Sequence, residues 1–198
     1  MPTTHLLYLH GFRSSPRSSK ARRLQAWLAA HAPQVRWWCP QLPPSPRAAL
    51  ALLAGGTADW PEGADGGAAV VGSSLGGYYA TVLAERRGWR AVLLNPAVDP
   101  TRDLAAHVGV QTGYHDAGQR FEFQPGHLDE LRAMNPPALT RMERYLPVIA
   151  RGDEVLDWRE MSARYAGAAQ RLVAGGDHAL SDFESHLPAL LRFLRLCD

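Results

Sequence analysis

The sequence contains few of the residues that mark several protein classes. Lys20 is the only lysine, and two cysteines, Cys39 and Cys197, are too few for a disulfide framework and do not resemble a metal site. The net charge of +2 is too small to indicate nucleic-acid binding. No apolar run approaches the length of a membrane span, and the first residues lack the cationic start of a signal peptide. We therefore expect a cytoplasmic protein.

The composition is that of an ordinary globular protein. The chain has 198 residues, of which 46% are hydrophobic and 20% are charged. This length is enough for one domain with a well-buried core and is short for two. We therefore expect a single domain over residues 1–198.

Short apolar runs alternate along the chain with helical stretches, which is typical of a parallel sheet covered by helices on both faces. Helices are predicted after Pro16, over 48–53, directly after Gly77 and over 183–196. The predicted strands are six, over 6–9, 35–39, 68–71, 91–94, 147–150 and 171–174. The pattern predicts a compact α/β fold with a mostly parallel sheet of about six strands.

Residues 100–145 interrupt this alternation. The segment has several glycines and the pair Pro136-Pro137, with short helical pieces such as 128–134 between them. A long irregular insertion in a compact α/β domain is usually functional rather than a mere connection. We expect it to form a cap or lid.

The most informative segment is an apolar run that ends in the pattern G-x-S-x-G at Gly72–Gly76. This pattern is typical of a nucleophile elbow, a sharp strand-to-helix turn that holds a serine hydroxyl clear of the sheet. Such a turn has no room for a Cβ two positions before and after the serine, which predicts Gly72 and Gly76 as structural support for Ser74. The alternative is a plain turn in which Ser73 or Ser74 only caps the helix.

A serine nucleophile needs a base, usually a histidine whose tautomer is held by a carboxylate. Asp153 and His178 each follow a predicted strand, and they come after the serine in the order acid, then histidine. The spacing therefore predicts Ser74, His178 and Asp153 as nucleophile, base and orienting acid.

Other residues compete for the acid and base roles. Asp157 precedes what reads as a helix start, so capping explains it well, and Asp177 could order the loop beside the histidine. The remaining histidines considered as the base lie in helical or loop contexts that do not follow a strand end: His31, His107, His115, His127 and His186.

The oxyanion of an acyl-transfer intermediate needs two backbone N–H donors. One is predicted to be that of Leu75, directly after the nucleophile, and the other that of Phe12, in the loop after the first strand. Gly11 permits the close turn there. For His10 a bracing role in this loop is favoured over a catalytic one, because the base is already assigned.

With these residues in place, the chain resembles the α/β-hydrolase superfamily, and more closely the small bacterial esterases of the YqiA type. The resemblance covers nearly the whole chain and is carried by segments 7–12, 14–18, 40–44, 71–81, 95–98, 152–157 and 175–179. It implies an α/β-hydrolase fold and hydrolysis of short-chain esters or acyl-CoA thioesters, with no cofactor and no metal. It also places Ser74 as nucleophile, His178 as base and Asp153 as acid.

The leading hypothesis is thus a serine esterase or thioesterase acting on a small-molecule acyl ester through an acyl-enzyme. One alternative is an acyltransferase that uses the same three residues with an alcohol or peroxide acceptor. Another is a non-catalytic binding module on the same scaffold. The oligomeric state is not predicted.

A basic patch lies near the predicted oxyanion loop. It could bind the phosphates of a coenzyme A ester, although a solvated helix face is the favoured interpretation of such a run of charge. Its members are Arg13, Arg17, Lys20, Arg22 and Arg23.

Overall fold

The computed structural model describes residues 1–115, 118 and 120–197. Its strands are β1 (His5–Leu9), β2 (Arg36–Trp38), β3 (Ala68–Ser73), β4 (Arg90–Leu94), β5 (Gly109–Thr112), β6 (Arg120–Phe123), β7 (Tyr145–Ala150) and β8 (Arg171–Val173). Six of them form one sheet in the order β2-β1-β3-β4-β7-β8, and every neighbouring pair in it is parallel. The predicted parallel sheet of six strands is confirmed.

Helices cover both faces of this sheet. They are α1 (Ser19–His31), α2 (Pro46–Gly56), α3 (Leu75–Arg87), α4 (Pro100–Asp103), α5 (Pro125–Met134), α6 (Trp158–Arg164) and α7 (Phe183–Phe193). Along β1, Leu7 and Leu9 pack in the core with α2 and α3, whereas Leu6 and Tyr8 pack in the core with α1 and α7. Because successive side chains of a strand point to opposite faces, a strand buried on both faces must be apolar throughout. This explains why the strands read as short continuous apolar runs.

Local sequence signals set the helix ends. At the start of α2 the hydroxyl of Ser45 accepts a hydrogen bond from the N–H of Ala48 at 3.1 Å, and Pro46 occupies the first turn. Helix α3 ends at Gly88, which has φ of 72°. The predicted helices over 48–53 and 183–196 are present as α2 and α7, with ends that differ by two or three residues.

The insertion at 100–145 is more regular than the sequence predicts. Strands β5 and β6 form an antiparallel pair, with Gly109 opposite Phe123 and Thr112 opposite Arg120. Helix α5 begins at Pro125, because a proline in the first turn needs no intrahelical donor. The hairpin has no clear signal in the sequence, since its strands are four residues long and mix polar with aromatic side chains.

Candidate active site

The elbow predicted around Ser74 joins β3 to α3. Ser74 has φ of 56° and ψ of −121°, and its N–H donates to the carbonyl of Leu94 at 3.0 Å. A Cβ on Gly72 would lie 2.2 Å from the carbonyl oxygen of Gly76, and a Cβ on Gly76 would lie 2.0 Å from that of Leu9. Neither position can accept a side chain without moving backbone, so the two glycines are sterically required for this turn.

Three of the predicted site residues lie in one chain of hydrogen bonds. The hydroxyl oxygen of Ser74 is 3.1 Å from Nε2 of His178, and Nδ1 of the same ring is 2.8 Å from a carboxylate oxygen of Asp153. With Nδ1–H donating to the carboxylate, Nε2 is left as the acceptor for the serine proton. This arrangement can move a proton from the hydroxyl to the imidazole.

Backbone donors hold the carboxylate of Asp153. The side chain is fully buried, and its second oxygen accepts from the N–H groups of Val155 and Leu156, both at 2.8 Å. The competing acid Asp157 instead caps α6, accepting from the N–H of Arg159 at 2.9 Å. Asp153 and Asp157 are four residues apart, but the first carboxylate contacts His178 and the second caps a helix.

The loop that carries His178 is held by side chains from other elements. The backbone N–H of His178 donates to the carboxylate of Glu154 at 3.0 Å. The Nζ of Lys20, on α1, donates to the carbonyl of Ala179. Burial lowers the pKa of Lys20 to about 8. Asp177 accepts from both the N–H and the hydroxyl of Ser181, and these bonds hold its pKa below the ordinary value.

The competing histidines make other contacts. His31 stacks on Trp27, and Nε2 of the buried His186 lies 3.1 Å from a carboxylate oxygen of Asp182 on the same side of α7. His127 accepts from the N–H of Gln124 at the start of α5. His107 and His115 lie on the insertion side of the site. The ring of His107 packs on Phe12, and Nε2 of His115 is 3.3 Å from the hydroxyl of Ser14.

The predicted oxyanion donors, the N–H groups of Leu75 and Phe12, lie in segments next to Ser74. Leu75 is the first residue of α3, so its N–H has no acceptor within the helix. A Cβ on Gly11 would lie 3.2 Å from the Cβ of Ser74, which places the Gly11-Phe12 turn directly against the nucleophile. Both Phe12 and Leu75 line the same cavity as Ser74 and His178.

His10 braces this turn. The buried ring donates from Nδ1 to the carbonyl of Gly11 at 2.9 Å and accepts at Nε2 from the N–H of Leu42 at 3.1 Å. Burial lowers the pKa of His10 from 6.5 to about 4, so the ring is neutral at pH 7. Both ring nitrogens are occupied by backbone, which leaves neither for a substrate.

A cavity of about 660 Å³ opens over Ser74 and His178. Its apolar wall includes Phe12, Ala97, Leu104 and Leu156. The insertion covers one side, because the ring of Phe12 meets Phe121 and Phe123 of the hairpin at centroid distances of 5.8 and 5.2 Å. The segment predicted as a cap thus contacts Phe12, one of the two predicted oxyanion donors.

Members of the basic patch point to different partners. Arg13 donates to the carbonyl of Thr112 at 2.7 Å and stacks over Tyr114, while Arg23 pairs with Glu184. Lys20 donates to the carbonyl of Ala179, so that Arg13, Lys20 and Arg23 are engaged within the protein. Within the described residues, no group of His, Cys, Asp and Glu side chains is arranged to hold a metal ion, and no helix has the length and apolarity needed to cross a membrane.

The sequence predicts no role for Asn95, although segment 95–98 is one of those that resemble the YqiA-type proteins. The side chain is fully buried and hydrogen-bonded to the end of β7, three residues before Asp153, and to the loop of His178. A signal was present, since an asparagine directly after an apolar strand cannot be buried without partners. The partners themselves could not be deduced from spacing.

The fold is similar to those of several solved structures. A metagenome-derived lipolytic enzyme, from a study of LipS and LipT, has a TM-score of 0.70 at 17% identity, over 100% of this chain and 96% of that one. The α/β-hydrolase domain-containing protein 10 from mouse has a TM-score of 0.66 at 15% identity, over 97% and 91% of the two chains. Est1E from Butyrivibrio proteoclasticus has a TM-score of 0.61 at 13% identity, over 98% and 86%.

These likenesses bear on the fold, which is that of the α/β hydrolases. A family model extends the comparison to sequence: it is described as Uncharacterised protein family (UPF0227) and matches residues 5–195. The resemblance to the YqiA-type proteins is confirmed in the same comparison. With almost the whole chain matched, the protein belongs to the UPF0227 family.

Proposed function

We propose that the protein is a serine hydrolase that cleaves small carboxylic esters or thioesters through an acyl-enzyme. The observation that carries the proposal is the hydrogen-bonded chain from Ser74 through His178 to the buried Asp153, at 3.1 and 2.8 Å, inside a cavity of about 660 Å³. A serine hydroxyl is a weak nucleophile unless a base removes its proton, and this chain of residues supplies the base with a fixed tautomer.

In this mechanism Ser74 attacks the acyl carbonyl as Nε2 of His178 takes its proton. The N–H groups of Leu75 and Phe12 stabilise the oxyanion, and the carboxylate of Asp153 stabilises the imidazolium that forms. His178 then gives the proton to the leaving alcohol or thiol. Water attacks the acyl-enzyme by the same route, with His178 again acting first as base and then as acid.

The cavity supports a small or medium acyl group. Its apolar wall can bury a hydrocarbon chain, and removal of apolar surface from water contributes about 0.8 kcal/mol per methylene group. Because Arg13, Lys20 and Arg23 already have partners in the protein, a carboxylic ester is favoured over a coenzyme A thioester.

The proposal is tested by hydrolysis of p-nitrophenyl esters of graded chain length. Ser74→Ala is expected to lower kcat by several orders of magnitude with the fold intact, since the covalent step is lost. Ser73→Ala, in the same elbow, is the matched control and is expected to keep most of the activity. Equal activity of wild type and Ser74→Ala would contradict the proposal.

Coenzyme A thioesters are tested in the same assay. An acyl-CoA and an ester of the same acyl group are compared in an Arg17→Glu, Arg22→Glu double variant. Equal effects on both substrates are expected, because these side chains lie on the exposed side of the chain segment around α1. A selective loss with the acyl-CoA would show that the basic patch binds its phosphates.

A further inference from the structure

The turn that leaves β4 is hydrogen-bonded to Ser74, to the loop of His178 and to β7, the strand that leads to Asp153. The N–H of Ser74 donates to the carbonyl of Leu94 at 3.0 Å, and the N–H of Ala97 donates to the carbonyl of Ser74 at 3.1 Å. Between these two bonds lies Asn95, whose N–H donates to the carbonyl of Val148 on β7 at 3.0 Å. The backbone of this turn therefore ties the nucleophile to the strand that leads to Asp153.

The side chain of Asn95 extends these connections to the acid and the base. Its Oδ1 accepts from the N–H of Ala150 at 2.8 Å, three residues before Asp153. Its Nδ2 donates to the carbonyl of Asp177 at 2.9 Å and to that of His178 at 3.2 Å. One amide group thus uses its acceptor on the acid side and both of its donors on the base side.

Burial, backbone conformation and the three side-chain hydrogen bonds together favour asparagine at this position. The residue is fully buried and has φ of 42°, a left-handed conformation that asparagine tolerates better than most residues with a Cβ. A shorter side chain would leave two buried carbonyls and one N–H without partners. A carboxylate of the same shape would keep the acceptor and lose both donors.

We propose that Asn95 is a positioning residue, which sets the separation between Asp153, His178 and Ser74 by holding their three chain segments at one point. It does not touch the substrate and acts through His178. This inference rests on the proposed function, since it assigns a role in the reaction of that same site.

The test compares Asn95→Gly and Asn95→Asp with wild type on an activated p-nitrophenyl ester, with kcat expressed per titrated active site. Asn95→Gly keeps the left-handed backbone, and Asn95→Asp keeps the shape, so that one of the two can be studied if the other does not fold. We expect kcat to fall about 100-fold, because a displacement of about 1 Å at a catalytic group has an effect of this size, with KM within about threefold. Thr57→Val, which removes a buried hydrogen bond at the end of α2, is the control and is expected to change stability but not kcat per site.

A double-mutant cycle separates positioning from a general structural role. In a His178→Ala background the further loss caused by Asn95→Gly is expected to be less than about threefold, since the residue through which Asn95 acts is absent. The proposal would be overturned if Asn95→Gly lowered kcat by the same 100-fold in both backgrounds. It would also be overturned if Asn95→Gly left kcat per site unchanged in the wild-type background.

A structural readout keeps this test independent of the proposed function. In a hydrogen-bonded series of this geometry, the proton between Nδ1 of His178 and the carboxylate of Asp153 is expected to give a downfield signal in the proton NMR spectrum. Asn95→Gly is expected to shift or broaden that signal, while Thr57→Val leaves it in place. An undisturbed signal would contradict the positioning role even if no ester were hydrolysed, whereas failure of the proposed function would show as equal rates for wild type and Ser74→Ala.

Discussion

Two regions meet over Ser74, and they are held together by different interactions. The strand-end region, formed by the elbow and the loops of Asp153 and His178, is fixed by hydrogen bonds between backbone groups and the short polar side chains of Asn95 and Asp153. Where the insertion at 100–145 meets Phe12, it packs through aromatic rings, with Phe121 on Phe12, and Arg13 stacks on Tyr114. Hydrogen bonds of fixed geometry define atomic positions, whereas aromatic packing tolerates small shifts. We therefore expect chemistry to depend on the first region and access or fit to depend on the second.

Among the substitutions that compare the two regions, the largest effect is expected from the buried acid, Asp153. Asp153→Asn keeps an oxygen for the two backbone donors but no longer fixes the tautomer of His178, so kcat is expected to fall by about 10³-fold or more. Asp157→Asn is the matched control, because that side chain caps α6 and should change stability by no more than about 1 kcal/mol. Steady-state kinetics with thermal unfolding checks both. A large loss of kcat in Asp157→Asn, with Asp153→Asn active, would reverse the assignment.

His10 tests the bracing of the oxyanion loop through the pH dependence of stability. Because burial lowers its pKa from 6.5 to about 4, the unfolded chain binds more protons than the folded chain between these values, and the free energy of unfolding falls as the pH is lowered through this range. The expected contribution is a loss of about 2 kcal/mol between pH 7 and pH 5.

Urea unfolding of wild type and His10→Asn at pH 7 and pH 5 measures this contribution. The variant is expected to be less stable at pH 7 because the acceptor for Leu42 is lost, and to show a smaller decrease on acidification. An identical decrease in both proteins would mean that His10 is not the buried neutral histidine described above.

The smallest effect is expected in the insertion. Arg13→Met removes the hydrogen bond to the carbonyl of Thr112 and the stacking on Tyr114, which loosens the hairpin over Phe12. We expect kcat/KM to fall about tenfold, which corresponds to about 1.4 kcal/mol. Arg22→Met, exposed on α1, is the control. If Arg13→Met lowered Tm without any change in kcat/KM, the hairpin would be a stability element with no part in the site.

The same two regions differ in how far they could be predicted from sequence. The six parallel strands and the elbow were predictable because apolar runs, glycines and a serine at fixed spacing are local signals with a steric cause. Asp153 and His178 could be named because they follow strand ends, which meet at one edge of a parallel sheet. The hairpin was not predictable, since its short strands mix polar with apolar residues and its aromatic side chains pack on Phe12, which is distant in the chain.

Asn95 illustrates a second limit. Its identity was visible in the sequence, but its three hydrogen-bond partners come from positions 150, 177 and 178 and are determined only by the packing of three strands. Local patterns can name a residue type that demands partners when buried. They do not identify those partners, and so the positioning role emerges only from the fold.

The central claim, that Ser74 is an activated nucleophile, is tested most directly by labelling with a fluorophosphonate probe followed by intact-mass and peptide mass spectrometry. We expect one adduct per chain, located on Ser74, with no adduct in Ser74→Ala and much slower labelling in His178→Ala. An unlabelled wild-type protein, or equal labelling of wild type and Ser74→Ala, would contradict it and would favour a binding module on the α/β-hydrolase scaffold.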